Sequence, residues 1–173
     1  MVIGNPYVIA VIYEYIKEWN GDSGFSNGVL AFSMDGILFP GEALNAMLGR
    51  ELEELSEKLE AIPQNDELYG LEKSICFAKL YEMIYPEDWW NEDGEPEYNI
   101  SPTTFLDDDY MIFAVGSGEK VRLLYVKANY DFEQSRRKWN DADINEWVVE
   151  REELNKIANR LKNLTRADLG ISD

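Results

Sequence analysis

Between Val29 and Pro63 the hydrophobic period of the chain changes once, from that of a hairpin to that of a helix, and this limits the folds open to it. Val29 to Met34 and Ile37 to Phe39 are apolar-rich runs joined at Asp35-Gly36. Two-residue hairpin turns need positive φ at their central positions, which Asp and Gly tolerate, so a tight antiparallel hairpin is predicted, ending at Pro40-Gly41. Leu48, Leu52, Leu55, Leu59 and Ile62 then recur at intervals of four, three, four and three. That spacing lays one apolar stripe along a helix. Glu51, Glu53, Glu54, Glu57 and Glu60 take the rest of its surface, and Pro63 stops it.

The remaining chain extends the same pattern. Residues 7 to 16 are apolar on both alternating faces apart from Glu14, as in a central strand covered on two sides. Val8, Ile12, Tyr15 and Trp19 also fit a helical stripe, but the β-branched content favours the strand. Asn20-Gly21-Asp22, Gly24 and Asn27-Gly28 make residues 20 to 28 a turn region. A second helix is predicted from about Glu67 to Tyr85, with Leu68, Leu71, Ile75, Ala78 and Tyr81 or Ile84 facing inward, before Pro86. Residues 86 to 102 carry three prolines, a glycine and many acids, and read as a long acidic loop of the kind that often serves function. Tyr110 to Val115 and Val121 to Lys127 form a further hairpin across Gly116-Ser117-Gly118-Glu119. Ile144 to Val149 is a last strand, and Leu154, Ile157, Ala158, Leu161 and Leu164 mark a terminal amphipathic helix. With no repeat, linker or second core, residues 1 to 173 are expected to form one α+β domain, a mainly antiparallel sheet packed by about three helices.

Charge narrows the possible functions. Against 34 Asp and Glu stand 16 Lys and Arg, a formal net charge of −18. Nucleic acid and anionic membrane are disfavoured partners, because phosphate-binding surfaces need clustered cations. A basic protein is favoured, and self-repulsion argues for a monomer. An apolar fraction of 45% is enough for a real core, so the acidity does not make the chain disordered. The chain has no histidine, which removes Ser-His-Asp and Cys-His catalysis and His-bearing zinc sites. Its one cysteine, Cys76, excludes an internal disulfide and sits among Ile75, Phe77 and Ala78 as a buried structural thiol. No secretory signal and no apolar run of about 20 residues is visible, so a cytoplasmic protein is expected.

The acids are concentrated. From Lys79 to Lys120 no lysine or arginine intervenes among eleven carboxylates, with Tyr85, Trp89, Trp90, Tyr98 and Tyr110 interspersed. Glu87, Asp88, Glu92, Asp93 and Glu95, the Trp89-Trp90 pair, and Asp107, Asp108 and Asp109 are therefore the candidate binding surface. The tryptophans either fold back as a plug on the core or anchor an interface, where Trp and Tyr dominate. Asp107 to Asp109 are poor cation ligands, because neighbours on an extended segment point to opposite faces. Asn91-Glu92-Asp93-Gly94-Glu95 lacks the alternating oxygens and distal Glu of a calcium loop. Gly116-Ser117-Gly118-Glu119-Lys120 lacks phosphate-loop spacing and a following helix, and reads as a turn. Arg136-Arg137-Lys138, the one compact basic cluster, reads as a surface patch or an internal counter-charge to the acidic loops. No catalytic residue, metal site or cofactor is assigned. The alternatives are a carboxylate-based or metal-dependent hydrolase using the acidic loops, and a nucleic-acid mimic inhibiting a host enzyme.

An ordered set of short motifs adds to this. Gly4-Asn5-Pro6 is followed by the apolar strand and Glu18-Trp19, then by Asn27-Gly28, the Asp35-Gly36 hairpin closing at Pro40, and Leu44-Asn45. Ser101-Pro102 with Phe105, Phe113-Ala114-Val115, Gly118 and Val121-Arg122-Leu123 come after. The set resembles immunity-protein family forty-two of bacterial polymorphic toxin and contact-dependent inhibition systems, from the first residues to about Tyr130 and more loosely to the terminal helix. Two features depart from that pattern: Ala43 stands where threonine is expected, and the acidic Pro86 to Tyr98 segment has no counterpart. The resemblance implies a cytoplasmic antidote that binds the C-terminal domain of a delivered toxin, in a 1:1 complex and without catalysis. The Gly, Asn and Pro positions then serve as backbone devices, and Arg122 is expected to be buried against a carboxylate as a structural pair. The charge further suggests a nuclease as the toxin, since its substrate groove must be basic.

Overall fold

The computed structural model describes residues 1–21, 26–87, 93–165 and 167–169. Its strands are β1 (Val2–Asn5), β2 (Ile9–Tyr15), β3 (Asn27–Met34), β4 (Ile37–Phe39), β5 (Asn45–Met47), β6 (Tyr110–Ser117), β7 (Lys120–Lys127), β8 (Asn129–Asp131), β9 (Arg136–Lys138) and β10 (Asn145–Glu150). Its helices are α1 (Leu48–Ala61), α2 (Asp66–Tyr69), α3 (Lys73–Ile84), α4 (Thr103–Asp107) and α5 (Arg151–Lys162). The fold is α+β, with every strand pairing antiparallel. Two compact units are distinguished: Met1–Glu60 with Pro102–Phe105 and Glu152–Asp173, and Ala61–Ser101 with Leu106–Arg151. Among the described residues no helix is long and apolar enough to cross a membrane.

The first unit holds a five-stranded sheet in the order β1-β2-β3-β4, with β5 on the opposite end of β3 from β4. β2 is interior, and Ile9, Ala10 and Val11 in succession are buried, as its two-sided apolar pattern predicted. Asp35 (φ 52°) and Gly36 (φ 76°) close the β3–β4 hairpin in the left-handed conformation their turn requires. Gly4 adopts φ 104°, and a Cβ there would lie 2.4 Å from the Ile9 carbonyl oxygen, so only glycine fits where β1 turns into β2. Asn27-Gly28 opens β3 rather than forming the expected turn. The Asn20 side chain donates to the Ile16 and Asn27 carbonyls at 2.7 Å and holds the end of β3 in line. Leu48, Leu52, Leu55 and Leu59 of α1 are buried, as are Leu154, Ile157, Ala158 and Leu161 of α5. Glu51 does not join the solvent face assigned to it. Its carboxylate is buried and accepts from the Thr103 N–H (2.8 Å), the Thr104 N–H (3.0 Å) and the Thr104 hydroxyl (2.8 Å), which satisfies the first turn of α4.

The second unit is built on the sheet β10-β7-β6 and a two-stranded ribbon, β8-β9. β6 and β7 are both longer than the sequence pattern indicates and meet at Gly118-Glu119. The single helix expected from Glu67 to Tyr85 is two. Gly70 closes α2, and the Glu72 carboxylate, accepting from the Ser74 and Ile75 N–H groups, caps the start of α3. The restart shifts the helical phase, so Ile75 is 51% exposed while Cys76, Phe77, Leu80, Tyr81 and Ile84 are buried. Burial pushes the Cys76 thiol above its ordinary value. Phe77 stacks on Phe113 at 4.7 Å, and the Trp139 edge meets Phe77 at 4.9 Å. Arg122, 5% exposed, is the structural pair expected of it. Its Nε bonds Glu146 at 2.7 Å while Nη1 donates to the Tyr69 and Leu71 carbonyls at 2.9 and 2.6 Å, pinning the α2–α3 break. The acidic loop also ends sooner than expected: Tyr98 to Ser101 are buried, and Asn99 bridges Phe113 of β6.

Candidate functional site

Strand β9 organises the candidate surface. Side chains of consecutive strand residues project to opposite faces, so Arg136 and Arg137 reach in different directions. Arg136 lies over the Tyr81 ring (5.4 Å to its centre) and pairs with Glu87. Arg137 bonds the Asp109 carboxylate through Nε at 2.9 Å and the Leu106 carbonyl through Nη2 at 2.8 Å, while its own N–H donates to the Tyr81 hydroxyl. The two acidic segments are thus tied to one short strand, across sequence separations of 49 and 28 residues. Of the two readings open for the basic cluster, internal counter-charge describes Arg136 and Arg137.

The loop of the ribbon is held from within. Asp131 accepts from the N–H groups of Glu133 (2.9 Å) and Gln134 (3.2 Å) and from the Lys138 ammonium at 2.5 Å. Lys138 first, then those amides, hold the Asp131 carboxyl below the ordinary carboxylate range. Tyr130, paired with Arg137 across the ribbon, donates its N–H to the second Asp109 oxygen at 3.2 Å.

Between this ribbon and the end of α3 opens a cavity of about 1000 Å³, lined by Tyr81, Ile84, Tyr85, Pro86, Glu87, Asp93, Gly94, Tyr130 and Gln134 to Arg137. Burial raises the Tyr85 phenol, whose oxygen accepts from the Asn99 side chain at 3.0 Å. A neighbouring groove of about 460 Å³ shares Pro86 and Asp93 and adds Glu67, Lys79, Glu82 and Glu95. Glu87, Asp93, Glu95, Asp107 and Asp108 are exposed. Asp109 differs from them: it sits at φ 62° and ties Arg137 and Tyr130 together. The segment that Asp107 to Asp109 occupy is the end of α4 and a turn, not the extended stretch expected. Asp88, Trp89, Trp90 and Glu92 lie outside the described residues. Among the described residues no group of three or more Cys, Asp or Glu is arranged to hold a metal ion. Tyr81, Tyr130, Arg136 and Arg137 were not among the candidate site residues. The one available signal was a run of three cations in so acidic a chain.

The family model Immunity protein 42 matches residues 1–164. The chain belongs to the Immunity protein 42 family. It is an immunity protein, one that binds and neutralises a cognate toxin. The matched span contains the whole of the surface just described, from Glu67 to Lys138. The immunity protein is also similar in fold to a crystal structure of CdiI from Burkholderia dolosa AUO158, at a TM-score of 0.76 and 24% identity over 93% of this chain and 97% of that one. No curated protein matches the immunity protein in sequence.

Proposed function

We propose that the immunity protein neutralises its toxin by forming a 1:1 complex, without catalysis or cofactor, through the acidic surface gathered at β9, and that the toxin domain is basic. The net charge of −18 is the observation that carries this reading. A cationic toxin surface would be drawn to it from a distance, raising the capture rate. A nuclease is the toxin class that best fits, because its substrate groove holds phosphate with Lys and Arg, and an acidic protein seated there excludes the nucleic acid. Glu87, Asp88, Trp89, Trp90, Glu92, Asp93, Glu95, Asp107 and Asp108 are proposed as contacts, with Asp109 shaping the surface. The cytoplasm is the proposed site of action, as the family resemblance implies.

The test uses the cognate toxin domain, sought first at the C-terminus of any large gene found directly upstream. Neutralising Asp93, Glu95, Asp107 and Asp108 together should slow association with that domain by about tenfold or more at low salt. Trp89→Ala/Trp90→Ala should weaken the complex and its protection of growing cells. If both variants bind and protect like the parent, the acidic surface is not the interface.

A further inference from the structure

Phe132, in the loop between β8 and β9, is 86% exposed, the most exposed large hydrophobic side chain among the described residues. Tyr130, 39% exposed, meets its ring edge-on with centres 5.0 Å apart. Apart from this contact with Tyr130, Phe132 is not part of the buried core. Asp131 closes the loop through backbone amides, which any residue at 132 would permit, and the core lies elsewhere. Yet the ribbon presenting it is braced at both strands, by Asp109 on the Tyr130 N–H and by Arg137 on Asp109, Leu106 and Tyr81. An exposed aromatic held on a braced support loses little freedom when it is buried by a partner, which is the property of an interface anchor.

The charges around it specify what that partner must offer. Arg136, Arg137 and Lys138 are each already paired with a carboxylate of this chain. Glu133 beside Phe132 is exposed, as are Asp93 and Asp108. A matching surface therefore carries Lys or Arg around an apolar socket. A second copy of this chain, at −18, is a poor match. We infer that the β8–β9 ribbon is the anchor of the toxin complex, with Phe132, backed by Tyr130, inserted into an apolar socket on the toxin domain whose rim is cationic. This rests on the reading that the β9 face receives the toxin.

The chain and its Phe132→Ala variant are compared for binding to the cognate toxin domain, alongside an Asp93→Asn/Asp108→Asn variant. Phe132→Ala should weaken the complex at least about thirty-fold, almost entirely through faster dissociation. Circular dichroism and the melting temperature should stay at parental values, because the side chain is exposed. Phe132→Trp should recover most of the affinity. The charge variant should instead slow association. Phe132→Ala binding within about threefold of the parent, while the charge variant is impaired, overturns the anchor and leaves the acidic face standing. Parental binding by both variants removes the face as well. A Phe132→Ala effect on self-association in sedimentation, with toxin binding unchanged, assigns the ribbon to a second copy and overturns the inference.

Discussion

Arg122 shows how much one side chain can hold in a chain this acidic. Its guanidinium makes three bonds in a nearly closed site, one to Glu146 and two to the carbonyls on either side of Gly70. Those carbonyls, of the last α2 residue and of the connection beyond Gly70, are thus given donors by a strand residue distant in sequence. Arg122→Met should therefore lower the unfolding free energy by about 3 kcal/mol, since buried acceptors lose their donors and a carboxylate loses its partner. Arg122→Lys keeps the charge but not the fork, and should fall between variant and parent. Glu146→Gln should cost less than Arg122→Met, because glutamine keeps an oxygen that can accept from the Arg122 Nε and the carboxylate is about a third exposed. Urea unfolding of the three variants checks the order. A full rescue by lysine would show that charge alone, not the fork, matters here.

At the level of elements, the β8–β9 ribbon carries a contact that acid should break. The Asp131 carboxyl is held below its ordinary value by Lys138 and by the loop amides it accepts from. A carboxyl lowered by folding stabilises the folded form above its unfolded value, about 3.9, and that contribution is lost as pH falls through the lowered one. Amide exchange at Glu133 and Gln134, followed by NMR, should therefore be insensitive to opening between pH 7 and about pH 5 and accelerate, beyond intrinsic exchange, only below about pH 4. Asp131→Asn, which keeps the amide acceptor and removes the charge, should abolish that acid step. An opening transition near pH 6 would contradict the assignment. The ribbon also marks where sequence legibility stopped. The Asp35-Gly36 hairpin, the α1 stripe, the β6–β7 hairpin and the α5 stripe were legible because turn chemistry and a period over many residues are local. β1, β5, β8 and β9 have three or four residues each, too few to carry a period. The α2–α3 break rests on Gly70, the Glu72 cap and the distant Arg122, and reading one continuous helix there places Ile75 in the core when it is on the surface. At the site, the acids themselves were legible from composition. Their gathering on Arg136 and Arg137 was not, because no local pattern encodes a pairing made across 49 or 28 residues.

For the whole molecule the controlling quantity is how its charge is disposed. Arg50, Arg122, Arg136, Arg137, Lys138, Lys156 and Lys162 are each within ion-pair distance of a carboxylate of the same chain. Such pairs look nearly neutral from a distance, so the excess of 34 acids over 16 bases is presented outward by carboxylates. A partner approaching from beyond contact distance meets a field of one sign, reduced by salt over a screening length of about 8 Å at physiological ionic strength. Two parts of the proposed interface should therefore answer differently to salt. Association with the toxin domain is steered by the long-range field, and should slow by an order of magnitude or more between low and high ionic strength. Dissociation is governed by short-range burial, with Phe132 at its centre, and should change little over the same range. Stopped-flow association and dissociation rates, measured across a salt series for the parent and for Phe132→Ala, separate the two. The variant should keep the parental salt slope of association and dissociate faster at every concentration. An association rate that does not depend on salt would remove the steering argument, and with it the main reason for expecting the toxin domain to be basic.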